Sequence, residues 1–412
     1  MTSEAFVWIY LPDQTEPVVC GRLFARDDGA YSFVYGRSYR DRQDSVALAP
    51  DTMPLGANPF TGRRAGALAG PIRDAGPDAW GRYVTEYRRG GAHLDELDLL
   101  LSGDGDRIGA LAFSNSATEY RVVAPPPVTL ADMEAAARGA QEGKPLPPEL
   151  LDALLRGTSI GGARPKATVD MDGRHWIAKF SSTTDLHRVV RWEAATLTLA
   201  QAAGIRVPKH RLAQVNARDV LLVERFDRQS TDRGVHRHLM LSALTLLDLD
   251  DTEATLASYP DLSEVLLLHA HNATADRGEL FRRMVFNILV GNEDDHAKNH
   301  ACFWDGSRLR LTPAYDLLPQ RRVGIEGRQA MIVGELGPGG RASTLTNALT
   351  AAARFGLDRD EAIAIAEDVV RVVRERWEQC FADVQVPQSE INALRGTSVL
   401  SPLAVELEVK RR

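Results

Sequence analysis

The stretch Gly291-Asn-Glu-Asp-Asp-His-Ala-Lys-Asn299 concentrates carboxylates, a histidine, a lysine and side-chain amides in one short segment. The segment before it, Leu280–Val290, carries apolar residues at the spacing of an amphipathic helix. Gly291 is the kind of residue that ends a helix, because glycine adopts the left-handed conformation at little cost. The sequence therefore predicts a loop of chemically active side chains at the end of a buried helix.

A β-hairpin is predicted directly after this loop. Ala301–Trp304 and Arg308–Thr312 are short apolar runs on either side of Asp305-Gly306, a dipeptide typical of tight hairpin turns. Two antiparallel strands return the chain to its starting point, so we expect Asp316 to lie close to the polar loop.

These side chains match what phosphoryl transfer requires. The reaction needs a carboxylate that orients the acceptor hydroxyl, oxygen ligands for Mg²⁺ and cations on the phosphates. Asp294 would accept the hydroxyl proton, and Lys298 would neutralise the transferring phosphate. Asn299 and Asp316 would bind the metal. This is the order in which protein kinases carry such residues.

Two other interpretations of the loop compete with this one. Asp, Asn and Lys are common in loops, where most of them are solvated or cap a turn. Asp294, Asp295, His296 and His300 would alternatively ligate zinc or iron, but their spacing matches no zinc signature such as His-Glu-x-x-His.

Upstream residues supply candidates for ATP binding. Lys179 lies between apolar residues of a predicted strand, where an ammonium group requires a partner, and Glu193 on the following predicted helix would pair with it. A glycine-rich loop carries Gly161, Gly162 and Lys166, whose backbone N–H groups and ammonium suit a phosphate. The loop matches neither common nucleotide-binding signature, so alone it is a weak signal.

The overall pattern predicts an α+β fold with two lobes of the protein-kinase type. Residues 1–120 form a β-rich N-terminal subdomain, and residues 121–228 carry the glycine-rich loop and the candidate ATP lysine. Residues 229–412 form a mostly helical C-terminal lobe. At the junction, backbone groups near Glu224 would bond adenine and Phe226 would pack on its ring.

Bulk composition narrows the class of protein. The chain has 49 basic and 56 acidic residues and a net charge of −7, which disfavours a protein that binds nucleic acid by itself. The scattered Cys20, Cys302 and Cys380 suit buried thiols better than a disulfide framework or a zinc site. The sequence shows no signal peptide and no apolar run of the ~20 residues that span a bilayer, so we expect a cytoplasmic protein without a membrane partner.

Taken together, the motifs resemble the HipA family over nearly the whole chain. The block after Val290 is the most specific, and the others follow in the family's order. The stretches that carry the resemblance are Ser159-Ile-Gly-Gly-Ala-Arg-Pro-Lys166, Trp192-Glu-Ala-Ala-Thr-Leu197, Glu224-Arg-Phe-Asp-Arg228, Gly291-Asn-x-Asp-x-His-x-Lys-Asn299 and Pro313-x-Tyr-Asp-Leu317.

The resemblance implies a kinase-like fold and a serine/threonine protein kinase toxin that uses ATP and Mg²⁺. It implies a target such as an aminoacyl-tRNA synthetase, with growth arrest and persistence as the result. It also implies a HipB-like helix-turn-helix antitoxin, through which the chain would meet DNA indirectly. By motif match, Asp294 is the catalytic aspartate, His296 joins the ATP-binding residues, and Glu224 and Phe226 form the adenine hinge.

Ser159 matches the serine that such kinases autophosphorylate to switch themselves off, and Thr158 is a second hydroxyl beside it. The best-known members carry Ala-Gly-Ala-Gln-Glu-Lys where this chain has Gly161-Gly-Ala-Arg-Pro-Lys166, so that Arg164 and Pro165 change the charge and stiffness of this loop. Two alternative functions remain open at this point. One is a kinase for a small molecule or lipid, and the other is a nucleotide-binding co-repressor that acts with a DNA-binding antitoxin.

Overall fold

The structure is a computed structural model that describes residues 3–103, 105–122, 128–156, 162–322 and 324–406. Helices and strands are mixed along the chain, which confirms the α+β prediction. The strands are β1 (Glu4–Ile9), β2 (Val18–Ala25), β3 (Tyr31–Tyr35), β4 (Phe60–Thr61), β5 (Leu111–Ser114), β6 (Lys166–Met171), β7 (Arg174–Phe180), β8 (His210–Val215), β9 (Arg218–Glu224), β10 (Arg228–Thr231), β11 (Gly234–Arg237), β12 (Leu239–Ser242), β13 (Ala301–Trp304) and β14 (Leu309–Leu311).

The helices include the one predicted at Leu280–Val290, which begins seven residues earlier, at Ala273. They are α1 (Arg37–Arg40), α2 (Gly70–Asp74), α3 (Ala79–Arg88), α4 (Glu96–Leu101), α5 (Leu130–Gln141), α6 (Pro148–Leu155), α7 (Val189–Ala202), α8 (Ala243–Leu246), α9 (Tyr259–His269), α10 (Ala273–Val290), α11 (Leu345–Thr350), α12 (Arg359–Asp383), α13 (Gln388–Leu394) and α14 (Pro402–Val405).

The chain divides into two compact units that interleave in sequence. The first contains residues 1–184, 213–250 and 302–308, and the second contains residues 185–212, 251–301 and 309–412. The predicted boundaries near residues 120 and 228, and the predicted two-lobed arrangement, stay predictions.

Two sheets form the framework of the first unit. One has the strand order β4-β3-β2-β1-β5, and the other has the order β6-β7-β9-β8. Strands β6 and β7 form a hairpin around Asp172-Gly173, because they pair antiparallel with Met171 opposite Arg174. Helices α3, α5 and α6 cover the second sheet with a core that includes Trp80, Met133 and Leu154.

The second unit is built around α10, whose C-terminal half is almost entirely buried. Helices α9 and α12 pack against it, and α12 also packs against α7. Burial of α10 on several sides explains why its last two turns read as a nearly continuous apolar segment. Its buried end fixes where the polar loop begins.

The prediction that residues 229–412 are mostly helical missed the strands at the start of this region. The structure has β11 and β12 in this region, and β10 pairs with β11 through a turn at Thr231–Gly234. These strands are four residues long, too short for an apolar–polar alternation to show clearly, and no Asp-Gly turn marks them as one marks β13 and β14. The cysteines agree with the prediction, since Cys20, Cys302 and Cys380 are buried and free.

A buried ionic cluster lies at the end of β9. Arg225 donates to Asp106 Oδ1 at 2.6 Å, to Asp227 Oδ2 at 2.8 Å and to the Arg107 carbonyl at 2.8 Å. Asp227 also accepts from Arg228 at 2.7 Å and from the Gly109 N–H at 2.8 Å. Nearly every charge in the cluster is thereby compensated, as buried charges require.

The stability of the first unit should depend on pH through this cluster. Burial alone would raise the pKa of Asp227, but the charges of Arg225 and Arg228 outweigh it and lower that pKa to about 2. A carboxylate with a depressed pKa stabilises the fold above its unfolded pKa, and that stability is lost as pH falls from about 4 towards 2. We expect Asp227 to contribute about 2 kcal/mol to this loss.

Urea unfolding of the wild type and of Asp227→Asn between pH 5 and pH 2 measures this contribution. The free energy of unfolding of the wild type should fall more steeply with decreasing pH than that of the variant. Parallel curves for the two proteins would show that Asp227 has an ordinary pKa.

Candidate active site

The polar loop begins where α10 ends at Gly291. Gly291 has φ +68° and ψ +34°, the left-handed conformation that the sequence predicted for a helix terminator. A Cβ atom at this position would lie 2.5 Å from the Ser398 carbonyl oxygen, so the close approach of a neighbouring segment also requires glycine. The prediction of a loop at the end of a buried helix is confirmed.

Backbone and side-chain hydrogen bonds hold the loop in a compact turn. The Asp294 carbonyl accepts from the His296 N–H at 2.8 Å and from Asn299 Nδ2 at 3.2 Å. The Asn299 N–H donates to the His296 carbonyl at 2.8 Å. Because Asn299 Nδ2 donates a hydrogen bond to the Asp294 carbonyl, the amide oxygen is the atom with which Asn299 would ligate a metal.

Asp316 lies close to Asp294, as the hairpin prediction required. Strands β13 and β14 are neighbours in one sheet, and the Thr312 N–H donates to the Ala301 carbonyl at 3.0 Å. Partial burial raises the pKa of Asp294, the negative charges of Asp316 and Asp295 raise it further, and His296 lowers it. Two carboxylates within electrostatic reach of each other are a typical cation-binding arrangement.

The segment that carries Asp316 is held against the polar loop. The Tyr315 hydroxyl donates to the Lys298 carbonyl at 2.8 Å. Asp316 has φ +58°, a left-handed conformation that aspartate tolerates better than most residues. Asp294 thus lies within electrostatic reach of Asp316 and is hydrogen-bonded through its carbonyl to Asn299, and all three side chains offer hard oxygen donors, the ligand type that suits Mg²⁺.

Lys298 points its ammonium group at Asp251, with which it forms a salt bridge. Both side chains are about half exposed, with relative accessibilities of 45% and 50%. An ion pair of this exposure contributes at most about 1 kcal/mol, so Lys298 can exchange Asp251 for a phosphate at little cost.

The residues of the zinc or iron hypothesis lie in different environments. Asp294 is exposed, whereas Asp295 and His300 are buried and bonded to each other at 2.8 Å. Asp295 also accepts from Asn287 and from the Tyr259 hydroxyl. The sequence did not predict this network, because its members are separated along the chain and only Asp295 and His300 belong to the recognisable motif.

In the first unit, Lys179 lies on β7, opposite Lys166 of β6 and Leu221 of β9. Lys166 is only 2% exposed, and its ammonium donates to Asp78 at 2.7 Å and to the Gly162 carbonyl at 3.0 Å. The sequence predicted a phosphate for Lys166 and did not identify Asp78, which caps the N-terminus of α3. A role of Lys166 on ATP stays a prediction.

Three predicted residues lie outside the described part of the chain, namely Gly161, Ser159 and Thr158. Gly162 is described and has φ +96°, a conformation that favours glycine. Glu193 is buried on α7. It belongs to the second unit and Lys179 to the first, so the ion pair between them stays a prediction.

The predicted adenine hinge lies at the end of β9. The Glu224 carboxylate accepts from Arg174 at 2.9 Å, and the Arg225 N–H donates to the His175 carbonyl at 2.8 Å. The Phe226 ring packs edge-on against Phe303, with centroids 6.0 Å apart. The side chains near the hinge are thus fixed within the first unit, while their contact with adenine stays a prediction.

The chain is similar to known proteins in family pattern, sequence and structure. A model of the HipA-like C-terminal domain matches residues 158–377, and a model of the HipA N-terminal domain matches residues 14–114. Y4mE of Sinorhizobium fredii, a kinase by name, is 27% identical over 325 residues, which cover 73% of this chain and 74% of Y4mE.

The serine/threonine-protein kinase toxin HipA of Shewanella oneidensis is 27% identical over 199 residues, or 42% of this chain and 45% of the toxin. A solved structure of Shewanella oneidensis HipA with HipB and operator DNA aligns with a TM-score of 0.70 at 20% identity, covering 94% of each chain. The shared fold is kinase-like, as predicted. Within the described residues, no helix is long and apolar enough to cross a membrane.

Proposed function

Because this chain belongs to the HipA family, we propose that it is a serine/threonine protein kinase that transfers the γ-phosphate of ATP to a protein. The observation that supports the proposal is that Asp294 lies within electrostatic reach of Asp316, from a separate segment, and is hydrogen-bonded to Asn299. Relatives named as kinases support the same chemistry.

In the proposed reaction, Asp294 orients the acceptor hydroxyl and takes its proton as the oxygen attacks the γ-phosphorus. The bond from that phosphorus to the bridging oxygen breaks, and ADP leaves. Asn299 and Asp316 would hold Mg²⁺, which would supply charge neutralisation on the phosphates. Lys179, with Glu193 as its partner, and Lys298 would position the phosphate groups.

The partners are proposed on the pattern of the relatives. A HipB-like antitoxin would bind this chain and connect it to DNA, since the similar Shewanella structure is a complex of HipA, HipB and operator DNA. We propose a translation factor, in particular an aminoacyl-tRNA synthetase, as the substrate, with growth arrest as the outcome. Autophosphorylation of Ser159, or less favourably of Thr158, would turn the activity off.

Labelled ATP tests these proposals directly. Purified wild type and Asp294→Gln are incubated with Mg²⁺ and a panel of translation factors that includes the aminoacyl-tRNA synthetases. Label on one synthetase and on Ser159 or Thr158, absent with the variant, supports the kinase activity, the proposed target and autophosphorylation together. Label only on this chain would support the kinase activity and contradict the proposed target. If no protein is labelled while ATP still binds, the nucleotide-binding co-repressor is favoured. If lipids or small molecules in a lysate are labelled, a kinase for a small molecule or lipid is favoured.

The metal assignment predicts a specific loss in an Asp316→Ala variant. Removing its carboxylate should weaken Mg²⁺ binding and lower kcat at standard Mg²⁺ on the order of 10²- to 10³-fold, because a bound cation supplies several kcal/mol to such a transition state. Rates measured over a Mg²⁺ titration should rise towards higher concentrations in the variant. Full transfer activity in Asp316→Ala would show that Asp316 does not hold the metal.

A further inference from the structure

A buried hydrogen-bond network lies directly beside the candidate catalytic aspartate. Asp295 is 1% exposed, and its Oδ2 atom accepts from Asn287 Nδ2 at 2.7 Å, from His300 Nε2 at 2.8 Å and from the Tyr259 hydroxyl. Tyr259 is the first residue of α9, and Asn287 lies in the last turn of α10. A single carboxylate oxygen thus joins the polar loop to both helices.

The same network reaches both ends of the loop. Asn287 Oδ1 accepts from Asn292 Nδ2 at 3.1 Å, and the Asn292 N–H donates to the Asn287 carbonyl at 2.9 Å. His300, which follows the predicted metal ligand Asn299, is 3% exposed and packs edge-on against the Tyr259 ring at 5.2 Å. Residues near the beginning, middle and end of the loop are therefore fixed to one buried set of side chains.

The residue on the other side of Asp294 is anchored independently. Glu293 pairs with Arg322, whose Nε donates to the Thr397 carbonyl at 2.5 Å, and the Glu293 carbonyl accepts from the Ala330 N–H at 3.0 Å. Asp294, by contrast, is partly exposed. A partly exposed side chain gains a defined position when the backbone on both sides of it is fixed.

A buried polar network costs free energy of folding, so its presence indicates a functional role. Burying a carboxylate requires several compensating hydrogen bonds, and Asp295 Oδ1 still has no partner among the described residues. Apolar residues at these positions would fill the same space without that cost. Three donors on one oxygen instead hold the loop in one geometry, which is what a reaction that depends on alignment requires.

We propose that Asp295 is a positioning residue, which holds Asp294 at the angle and distance that phosphoryl transfer needs through its bonds to Tyr259, Asn287 and His300. This inference rests on the proposed kinase function. Misplacement of a catalytic group by about 1 Å costs up to 10²-fold in rate, and loss of an orienting partner typically costs about 10- to 100-fold.

The test compares Asp295→Asn, Tyr259→Phe and their combinations with Asp294→Asn. Asp295→Asn should lower kcat by about 10- to 100-fold and leave the KM for ATP within about twofold, because it displaces the catalytic group and not the nucleotide. Tyr259→Phe removes one donor and should lower kcat by a smaller factor. In the Asp294→Asn background, neither change should lower kcat further, since both act through Asp294.

The matched control is Asp261→Asn, the same change at a half-exposed aspartate of α9 that pairs with Arg354. It should leave kcat unchanged. If Asp295→Asn fails to fold, Tyr259→Phe alone carries the test, because its ring and packing remain.

Hydrogen–deuterium exchange gives a readout that is independent of activity. Amides of residues 291–299 should exchange faster in Asp295→Asn and Tyr259→Phe than in the wild type. Wild-type kcat together with unchanged exchange in both variants would overturn the inference. A wild type that transfers no phosphate would refute the proposed function, and the exchange rates would still decide whether Asp295 fixes the loop.

Discussion

An Asp294→Asn variant is expected to transfer phosphate about 10²- to 10⁴-fold more slowly than the wild type while binding ATP with similar affinity. Asparagine has nearly the shape of aspartate but does not accept the proton of the acceptor hydroxyl. Partial burial and the nearby charges of Asp316 and Asp295 raise the pKa of Asp294, which makes this carboxylate a better proton acceptor than an ordinary surface aspartate. Single-turnover rates with saturating ATP measure the effect on the chemical step.

The same substitution at Asp360 provides the control, since this residue is exposed in the first turn of α12 and is not part of the polar loop. Asp360→Asn should leave kcat unchanged. A kcat loss of less than about tenfold in Asp294→Asn would remove Asp294 from the role of proton acceptor and leave it as a positioning or metal-binding group.

The second large effect is expected on stability, in an Arg225→Met variant. Arg225 is 3% exposed and compensates both Asp106 and Asp227. Methionine fills much of the same space but leaves two buried carboxylates with fewer partners. Removing one member of a buried ionic cluster typically costs about 3–5 kcal/mol, and urea unfolding at pH 7 measures this loss directly.

Arg22→Met is the matched comparison, because Arg22 pairs with Glu4 on an exposed part of the first unit. Its loss should cost no more than about 1 kcal/mol. A second comparison adds Asp106→Asn to Arg225→Met. The double variant should lose less stability than the sum of the single changes, since the neutral amide at position 106 no longer needs the arginine. Equal unfolding midpoints for Arg225→Met and Arg22→Met would show that the buried cluster contributes no special stability.

Local sequence patterns predicted most of the elements that carry the candidate site. The end of α10 at Gly291 follows from apolar periodicity and a helix terminator, and the β13–β14 hairpin follows from Asp305-Gly306. Such signals are local, because helix and turn preferences depend on neighbouring residues. Strands β11 and β12 were missed because they are short and no Asp-Gly turn lies beside them like the one that marked β13 and β14.

The motif block also predicted which residues of the polar loop would lie together. Asp316 lies within electrostatic reach of Asp294 because the two strands of the hairpin return the chain towards the loop, where Asn299 is hydrogen-bonded to Asp294. The block did not predict which loop residues face solvent. Adjacent Asp294 and Asp295 have the same chemistry, yet the structure exposes the first and buries the second.

By itself, then, the sequence determined the α+β class, the family and the set of side chains available for phosphoryl transfer, since these depend on residue type and short spacings. Only the tertiary structure decided the partners of the buried charges. Lys166 pairs with Asp78, Arg225 with Asp106, and Asp295 with Tyr259, each far along the chain from its partner. Burial demands that each charge be compensated, but it does not specify by which residue, and that choice depends on how distant segments pack.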